Sequence, residues 1–374
     1  MKSAGKRHLL MTADAVGGVW TYALDLAEGL AARGWRTTLA VLGPAPGMSQ
    51  RLQARQVPGL DLHLTSLPLD WLAEDPGELK RTAAAVARLC RETGAEVAQL
   101  NTPSLAALAA FPVPVVSVCH SCLATWWATM RDSPLPPDFL WRTTLLRQGY
   151  AASSALVAPT RAFAAATATV HDLAEQPTAV WNGRRPLAWT GSTSQVDSVL
   201  TLGRLWDEGK NVAVLDRAAG RLRWPVQAAG ATEGPNGAHI ALRHIHSLGR
   251  LDETEVTVLL AQRPVFASLA RYEPFGLAVL EAAQAGCALV LSDIPTFREL
   301  WDGAAVFVPP DDEAAVALAL DRMMADRAER DRLGDAARER ARRYSTAAMS
   351  NAMLALYDSL PQPIGPVTME ATVP

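Results

Sequence analysis

The sequence predicts an α/β fold with two doubly wound parallel sheets, one in each of two domains. The chain has 374 residues, about twice the length of a typical domain. In both halves short apolar runs alternate with longer amphipathic stretches, as in parallel β-α-β units. The alternation stops at residues 182–197, where glycine, proline and serine predict a linker. We therefore predict Rossmann-like domains at residues 1–181 and 182–345, followed at residues 346–374 by a helix that returns to the first domain and a flexible tail.

The first half contains five apolar runs with the length of buried strands. They are Leu9–Thr12, Thr38–Leu42, Val97–Leu100, Val115–Cys119 and Ala155–Ala158. After the first run, apolar residues recur at helical spacing from Val19 to Leu30, and Gly34 suits the left-handed end of that helix. The pair Gly17-Gly18 lies at the turn between strand and helix, where glycine lets the backbone approach a ligand closely.

The second half repeats this alternation with five more predicted strands. They are Ser198–Gly203, Val226–Gly230, Pro264–Ala267, Ala288–Ser292 and Ala305–Val308. Residues 313–343 predict a charged helical region that is interrupted near Gly334, and residues 349–360 predict a last helix. The final dozen residues lack periodicity and predict a loose tail.

Charge and composition exclude several classes of protein. Lysine and arginine total 35 against 38 aspartates and glutamates, so the chain offers no basic field for nucleic acid. No apolar stretch reaches the roughly 20 residues of a membrane helix, and no signal-peptide core is visible. This predicts a cytoplasmic protein without integral membrane association. Cys119 and Cys122 flank His120 but lack a second pair of ligands, so we expect neither a disulfide nor a metal site.

The most specific motif lies at residues 271–286, after a predicted strand of the second half. Glu273 precedes a helix that Pro274 can begin, and Glu281 lies about two turns further along that helix. The free amides at residues 276–278 then face a predicted cleft between the two sheets and form an anion site. A phosphate site flanked by two carboxylates that accept bonds from hydroxyls suits a nucleotide sugar. The alternative is a surface helix with two solvated glutamates.

Two cations follow another predicted strand, at Arg204 and Lys210. A departing diphosphate carries developing negative charge, and fixed arginine and lysine donors stabilise it without a metal ion. Taken alone, this segment is equally compatible with a solvated loop.

Taken in order, these segments resemble the retaining nucleotide-sugar-dependent glycosyltransferases of the GT-B fold, family 4, over nearly the whole chain. The residues that carry the resemblance are Gly17-Gly18-Val19, His120, Asn182-Gly183, Arg204, Lys210, the Glu273-x(7)-Glu281 pair, and Ser292-Asp293-Ile294-Pro295 with Glu299. One departure is Ala270, where the family often has serine three residues before the first glutamate. Two sheets that face a central cleft are the fold that this resemblance implies.

The resemblance also implies roles for individual residues. Catalytic roles fall to His120, Arg204, Lys210 and Glu273. Donor-binding roles fall to Gly17, Gly18, Phe275, Gly276, Leu277, Ala278 and Glu281. In this scheme Glu273 lies beside the donor sugar, Glu281 accepts bonds from the nucleotide ribose, and amides near Phe275 to Ala278 hold sugar hydroxyls and phosphate.

The implied reaction moves a hexose from a nucleoside diphosphate sugar to an unknown acceptor with retention of configuration. The favoured mechanism is front-face attack, in which the leaving phosphate takes the acceptor proton; double displacement through a glutamate stays open. No cofactor and no metal ion are expected. The acceptor is a saccharide, a lipid or a small molecule, and Trp126 and Trp127 are candidates to stack on it at the mouth of the first domain.

Other functions remain as alternatives. A nucleotide-sugar epimerase would use the same scaffold, whereas a glycogen-type phosphorylase would need a lysine for a pyridoxal cofactor that we do not recognise. A non-catalytic two-domain ligand-binding protein is possible, although such proteins usually work outside the cytoplasm. A nicotinamide-dependent dehydrogenase would need Gly-x-Gly-x-x-Gly, and the first turn offers only Gly17-Gly18.

Overall fold

The computed structural model describes residues 7–186, 195–234 and 237–361, and these residues contain two parallel sheets. The first sheet contains β1 (His8–Asp14), β2 (Arg36–Leu42), β3 (Leu60–Leu64), β4 (Val97–Leu100), β5 (Val115–Val118), β6 (Ala155–Ala158) and β7 (Thr178–Ala179). The second contains β8 (Val199–Leu202), β9 (Val226–Ala229), β10 (His246–Gly249), β11 (Val265–Ser268), β12 (Leu289–Ser292) and β13 (Val306–Val308). Their orders are β3-β2-β1-β4-β5-β6-β7 and β10-β9-β8-β11-β12-β13. The predicted α/β class with two doubly wound parallel sheets is confirmed.

Helices connect these strands. The first half contains α1 (Gly18–Ala31), α2 (Met48–Gln56), α3 (Pro76–Thr93), α4 (Leu123–Met130), α5 (Pro137–Ala152) and α6 (Arg161–His171). The second half contains α7 (Val212–Ala219), α8 (Glu253–Ala261), α9 (Leu277–Ala285), α10 (Pro295–Trp301), α11 (Glu313–Ala325), α12 (Arg327–Ala341) and α13 (Thr346–Ser359). Short 3-10 helices lie at Pro103–Ala107 and Glu208–Lys210.

Alternating side chains of the second sheet pack into two separate cores. Along β11, Val265 and Ala267 contact one cluster, whereas Phe266 between them contacts the other. Successive side chains of a strand point to opposite faces, so both faces of this sheet are covered by helices. Phe266 and Trp301 are fully buried, and each such side chain contributes about 2–3 kcal/mol by leaving water.

All ten predicted strands are present, but three further strands were not predicted. These are β3, β7 and β10, and each lies at the edge of its sheet. The residues of β3 and β10 are mostly exposed or half-buried, so these strands lack the apolar run of a buried strand. The two-residue β7 is too short to show a pattern.

The prediction that the charged helical region breaks near Gly334 is wrong. The break lies at Asp326, whose side chain accepts a hydrogen bond from the Glu329 amide at 3.0 Å and caps α12. Gly334 lies inside α12, where a Cβ atom would stand 2.4 Å from the Gly286 carbonyl oxygen. This glycine therefore permits close packing of α12 on the end of α9.

The described residues form two compact units that differ from the predicted domain boundary. The first unit contains residues up to His120, then Pro136–Ala158 and the chain from Ser350. The second contains Ser121–Leu135 and Pro159–Met349, so α4 and α6 belong to it although they precede the linker. Within the first unit, the Tyr357 hydroxyl of α13 donates to Gln99. The predicted tail, and residues 187–194 of the predicted linker, lie outside the described residues.

Candidate functional site

The loops that follow β8 and β11 bring two predicted catalytic residues of the second unit together. Lys210, at the end of the Glu208–Lys210 turn, forms an ion pair with the Glu273 carboxylate. Their side chains are 22% and 14% exposed, so the pair is shielded from most of the solvent. Partial burial strengthens the attraction between such charges.

Hydrogen bonds join these two loops into one frame. The Gly209 carbonyl accepts bonds from the Arg271 amide at 2.9 Å and the Tyr272 amide at 3.2 Å. Asn211, held in the left-handed region at φ 55°, donates its side-chain amide to the Leu269 carbonyl at 3.1 Å. Lys210 and Glu273 therefore lie on loops with fixed relative positions.

Arg204 has a different environment from Lys210. Its guanidinium donates to Asp207 at 2.8 Å, and its central carbon lies 5.9 Å from the centre of the Trp206 ring. The side chain is 47% exposed. The structure thus places Arg204 near the surface of the same loop, with a partner of its own.

The predicted start of the helix at Pro274 is wrong, because α9 begins at Leu277. Gly276 precedes it in the left-handed region at φ 92°, where a Cβ atom would lie 3.1 Å from Phe297. Among the described residues, nothing accepts a hydrogen bond from the amides of Leu277 or Ala278. These amides are therefore open backbone donors at a helix N-terminus, and their use as an anion site stays a prediction.

Phe275 can contribute to this site only through its backbone. Its side chain is buried, and its ring packs against Tyr344 with the centres 5.9 Å apart. The prediction for Phe275 concerned its amide, which stays a prediction.

Glu281 lies in α9 and pairs with an arginine that the sequence analysis did not assign to the site. The Arg184 Nε donates to Glu281 Oε1 at 2.7 Å, and Arg184 Nη2 donates to Glu253 Oε1 at 2.8 Å. Burial raises the pKa of Glu281 above its usual range, and Arg184 opposes that rise. In the sequence, Arg184 stood within a segment interpreted only as a turn.

The tryptophans predicted to bind the acceptor lie in α4, which belongs to the second unit and not the first. Trp127 donates its ring N–H to the Ser133 carbonyl at 2.7 Å, and the Arg131 guanidinium carbon lies 4.9 Å from the centre of the Trp126 ring. A Cβ atom on Gly209 would stand 3.1 Å from Trp126 Nε1, so this ring packs on the loop that carries Lys210. Their role toward an acceptor stays a prediction.

Helix α4 contacts both loops of the Lys210–Glu273 pair. The Thr125 hydroxyl donates to the Cys122 carbonyl, so the Tyr272 hydroxyl donates to Thr125 at 2.8 Å and accepts from the Cys122 amide at 3.2 Å. Arg131 makes two hydrogen bonds to Glu208, at 3.0 and 2.6 Å. These contacts position the residues next to Glu273 and Lys210.

Glu299 has a structural role in the second unit. Its carboxylate accepts bonds from the amides of Arg161 and Ala162, at 3.0 and 2.8 Å, and thereby caps the N-terminus of α6. It also accepts from the Trp181 ring N–H at 2.7 Å. This explains why glutamate suits position 299 without a donor contact.

In the first unit, His120 follows β5 and is a neutral imidazole. Its Nε2 lies 3.0 Å from Asn101 Oδ1, and the Asn101 amide nitrogen donates to the Thr12 carbonyl at 2.7 Å. Because Asn101 Oδ1 is then the acceptor, His120 carries its proton on Nε2 and keeps a lone pair on Nδ1. Burial lowers the pKa of His120 to about 3. Its ring also packs edge-on against Tyr22 with the centres 4.4 Å apart.

The Gly17-Gly18 turn lies at the start of α1 in the same unit. Asp14, at the end of β1, accepts bonds from the amides of Val16 at 2.8 Å and Gly17 at 3.2 Å. Gly17 has extended backbone angles, with φ −147°, so neither strain nor a left-handed turn explains the glycine. Close approach of another group to this turn remains the explanation that the sequence suggests.

No metal centre emerges from the parts of the chain that the structure describes, since they contain no group of three or more potential ligands. The four cysteines are buried and form no disulfide. Cys122 Sγ lies 3.3 Å from His171 Nε2 and caps α4. Within the same ranges, no helix combines the length and apolar character needed to cross a bilayer.

Comparison with known proteins gives consistent matches. Residues 16–183 match the model of Glycosyltransferase Family 4, and residues 237–340 match that of Glycosyl transferases group 1. A glycogen synthase of Mycobacterium tuberculosis is 30% identical in an alignment of 268 positions that covers 64% of this chain and 61% of the relative. The chain thus spans less than two thirds of that relative's length. A phosphatidyl-myo-inositol mannosyltransferase of Mycolicibacterium smegmatis is 32% identical over 176 residues, 44% of this chain and 45% of the relative.

Solved structures show the same fold at lower identity. Sucrose-phosphate synthase from Thermosynechococcus elongatus matches with a TM-score of 0.75 and 16% identity, over 94% of this chain and 98% of that one. Anabaena HepE in complex with UDP and glucose matches with a TM-score of 0.74 and 18% identity, over 95% and 100% of the two chains. Each of these two solved chains therefore shares its architecture with this chain over almost the whole length of both.

Proposed function

Because the chain belongs to the family 4 glycosyltransferases, we propose that it transfers a hexose from a nucleoside diphosphate sugar to an acceptor, with retention of configuration. The observation that carries this proposal is the Lys210–Glu273 ion pair, in which Glu273 lies four residues before the start of a glycine-preceded helix with open N-terminal amides. A cation and a helix N-terminus can bind the pyrophosphate, and a carboxylate can accept hydrogen bonds from the sugar hydroxyls.

On binding, the donor's diphosphate would compete with Glu273 for Lys210. The lysine ammonium is a mobile point charge on a flexible stem, so it can exchange one anionic partner for another. The amides of Leu277 and Ala278 would donate hydrogen bonds to phosphate or sugar oxygens. Glu273, once released, becomes a hydrogen-bond acceptor for the sugar.

For the reaction itself we propose front-face attack, in which positioning and the leaving group do the chemistry and no glycosyl-enzyme bond forms. In the proposed step the bond between the anomeric carbon and the phosphate oxygen breaks, the acceptor oxygen bonds to the same face, and its proton passes to the leaving phosphate. Lys210, and Arg204 after release from Asp207, stabilise the departing charge without a metal ion.

The first choice of donor to test is UDP-glucose, because the structurally similar HepE was solved with UDP and glucose and with UDP-glucose. That observation belongs to HepE and supports the choice of probe here. The acceptor remains a saccharide, a lipid or a small molecule. His120, with its free Nδ1 lone pair, is proposed to accept a bond from a donor-sugar hydroxyl.

The test is UDP release from UDP-glucose, with and without a panel of sugar acceptors. Lys210→Met is expected to lower turnover about 10²- to 10³-fold, the usual effect of removing one donor that stabilises developing charge. Arg217→Met, which breaks a surface ion pair with Glu313 on the same unit, is the matched control. A chelator should leave turnover unchanged, and the anomeric coupling of the product should match that of the donor. Turnover by Lys210→Met at the wild-type rate would refute the proposal.

A further inference from the structure

Arg184 is a buried arginine between two carboxylates of the second unit. Its side chain is 6% exposed, and it contacts Glu281 at 2.7 Å and Glu253 at 2.8 Å. We propose that Arg184 is a positioning residue of the nucleotide site, which orients the Glu281 carboxylate and balances its charge. This inference rests on the proposed function and on the role that the family resemblance implies for Glu281, which is to accept bonds from the nucleotide ribose.

Contacts of its backbone also hold Arg184 in place. A Cβ atom on Gly183 would lie 2.2 Å from the Ser345 carbonyl oxygen, so only glycine allows the two segments to meet. The Arg184 amide donates to the Tyr344 carbonyl at 3.1 Å, and Gln284 of α9 donates to the Arg184 carbonyl at 3.1 Å. The guanidinium is therefore presented to α9 by a fixed backbone.

The contact leaves one oxygen of Glu281 for a ligand. Arg184 donates to Oε1, and the described residues supply no hydrogen bond to Oε2. The Glu281 side chain keeps 16% exposure, so this oxygen is not sealed from a ligand. A carboxylate with one oxygen fixed and the other open is preorganised to accept hydroxyl bonds.

The charges around Glu281 explain why an arginine is needed. Glu253, at the start of α8, is the second acid at this point, and burial together with Glu253 favours the neutral form of Glu281. For Glu253, burial also raises the pKa, but Arg184 and Arg185 outweigh it and lower the value. From α12, Arg338 donates to the Ala285 carbonyl at the far end of α9. Arg184 is thus the cation that contacts both acids.

Calorimetry on the intact chain tests this inference. UDP, GDP and ADP are first titrated into the wild type to find a nucleotide that binds. With that nucleotide, Arg184→Met should weaken binding about 10- to 100-fold at neutral pH, and Arg184→Lys by less, because lysine keeps the charge but loses the planar fork. Arg185→Met is the matched control, since this neighbour contacts Glu253 at 3.3 Å and makes no ion pair with Glu281.

A pH series separates positioning from a merely structural role. Without Arg184 the pKa of Glu281 rises further, so more of the carboxyl is protonated near neutrality and binding should strengthen as the pH is raised. The double variant Arg184→Met/Glu281→Gln should lose this pH dependence. A structural role alone would lower the melting temperature of Arg184→Met and leave the affinity of the folded protein pH-independent.

The outcomes distinguish the two proposals. Equal nucleotide affinity of Arg184→Met and wild type, or a pH dependence that survives Glu281→Gln, overturns the role of Arg184 and leaves the proposed function intact. If none of the three nucleotides binds the wild type, the proposed function fails and this inference fails with it. Should circular dichroism show that Arg184→Met is unfolded, Arg184→Lys decides, and unchanged affinity in that variant overturns the inference.

Discussion

The two units differ in the charge of the residues that the proposed function uses. The second unit has charged pairs and the first has a neutral group. In the second unit the ionisable groups are paired, Lys210 with Glu273 and Arg184 with Glu281. In the first unit the corresponding group is His120, which bonds to the neutral Asn101 and is kept uncharged by burial. Under the proposed function this difference corresponds to a division of labour: exchangeable charge suits an anionic leaving group, and a neutral hydrogen-bonding group suits sugar hydroxyls.

The largest expected effect comes from uncoupling the Lys210–Glu273 pair. Glu273→Gln frees Lys210 for the diphosphate, so UDP should bind about three- to tenfold more tightly. Turnover of UDP-glucose should nevertheless fall about a hundredfold, because the donor sugar loses the charged carboxylate that accepts its hydrogen bonds. Calorimetry gives the affinity and UDP release gives the rate. Weaker UDP binding by Glu273→Gln would show that Glu273 does not compete with the ligand for Lys210.

An intermediate effect is expected from charging the neutral histidine. Asn101→Asp places a carboxylate at His120 Nε2, which raises the pKa of the imidazole from about 3 towards neutrality. The wild-type His120 imidazole stays uncharged from about pH 5 to 8, so it adds no pH dependence to turnover in that range. The variant should lose activity about tenfold as the pH falls through that range, because protonation removes the Nδ1 lone pair. The rate is measured as UDP release against pH, with Asn101→Ala as the uncharged control.

The smallest expected effect comes from weakening the contact between α4 and the loops that carry Lys210 and Glu273. Tyr272→Phe removes two hydrogen bonds, to Thr125 and Cys122, and should lower the free energy of unfolding by about 1–2 kcal/mol. Turnover should fall only a few-fold, since Lys210 and Glu273 remain. Thermal unfolding and UDP release measure the two effects. Thr129→Ala, which removes a hydroxyl bonded within α4, is the control and should leave turnover unchanged.

Most of the fold could be predicted from the sequence because buried parallel strands are short apolar runs. The pattern fails where a strand is not buried on both faces, as in β3 and β10, whose exposed residues resemble a loop. The misplaced break at Gly334 has a related cause. Glycine is a local helix breaker, but here it packs against Gly286, a contact that only the tertiary structure reveals.

Within the candidate site, the proximity of residues could be predicted where they carry local sequence signals. Glu273 and Lys210 each lie in a loop after a predicted strand, and the structure joins them into one pair. Arg184 could not be assigned, because its partner Glu281 is 97 residues away and a double arginine in a polar turn has no periodicity. The position of α4 was equally hidden, since Thr125 meets Tyr272 across 147 residues.

A chimera joined at the linker would inherit an incomplete second unit. A fragment that starts near residue 182 lacks α4 and α6, so it exposes the Tyr272 hydroxyl, leaves Glu208 without Arg131, and leaves Glu299 without the helix that it caps. Exchanging the second unit between related enzymes therefore requires moving two stretches of chain together, Ser121–Leu135 and Pro159–Met349.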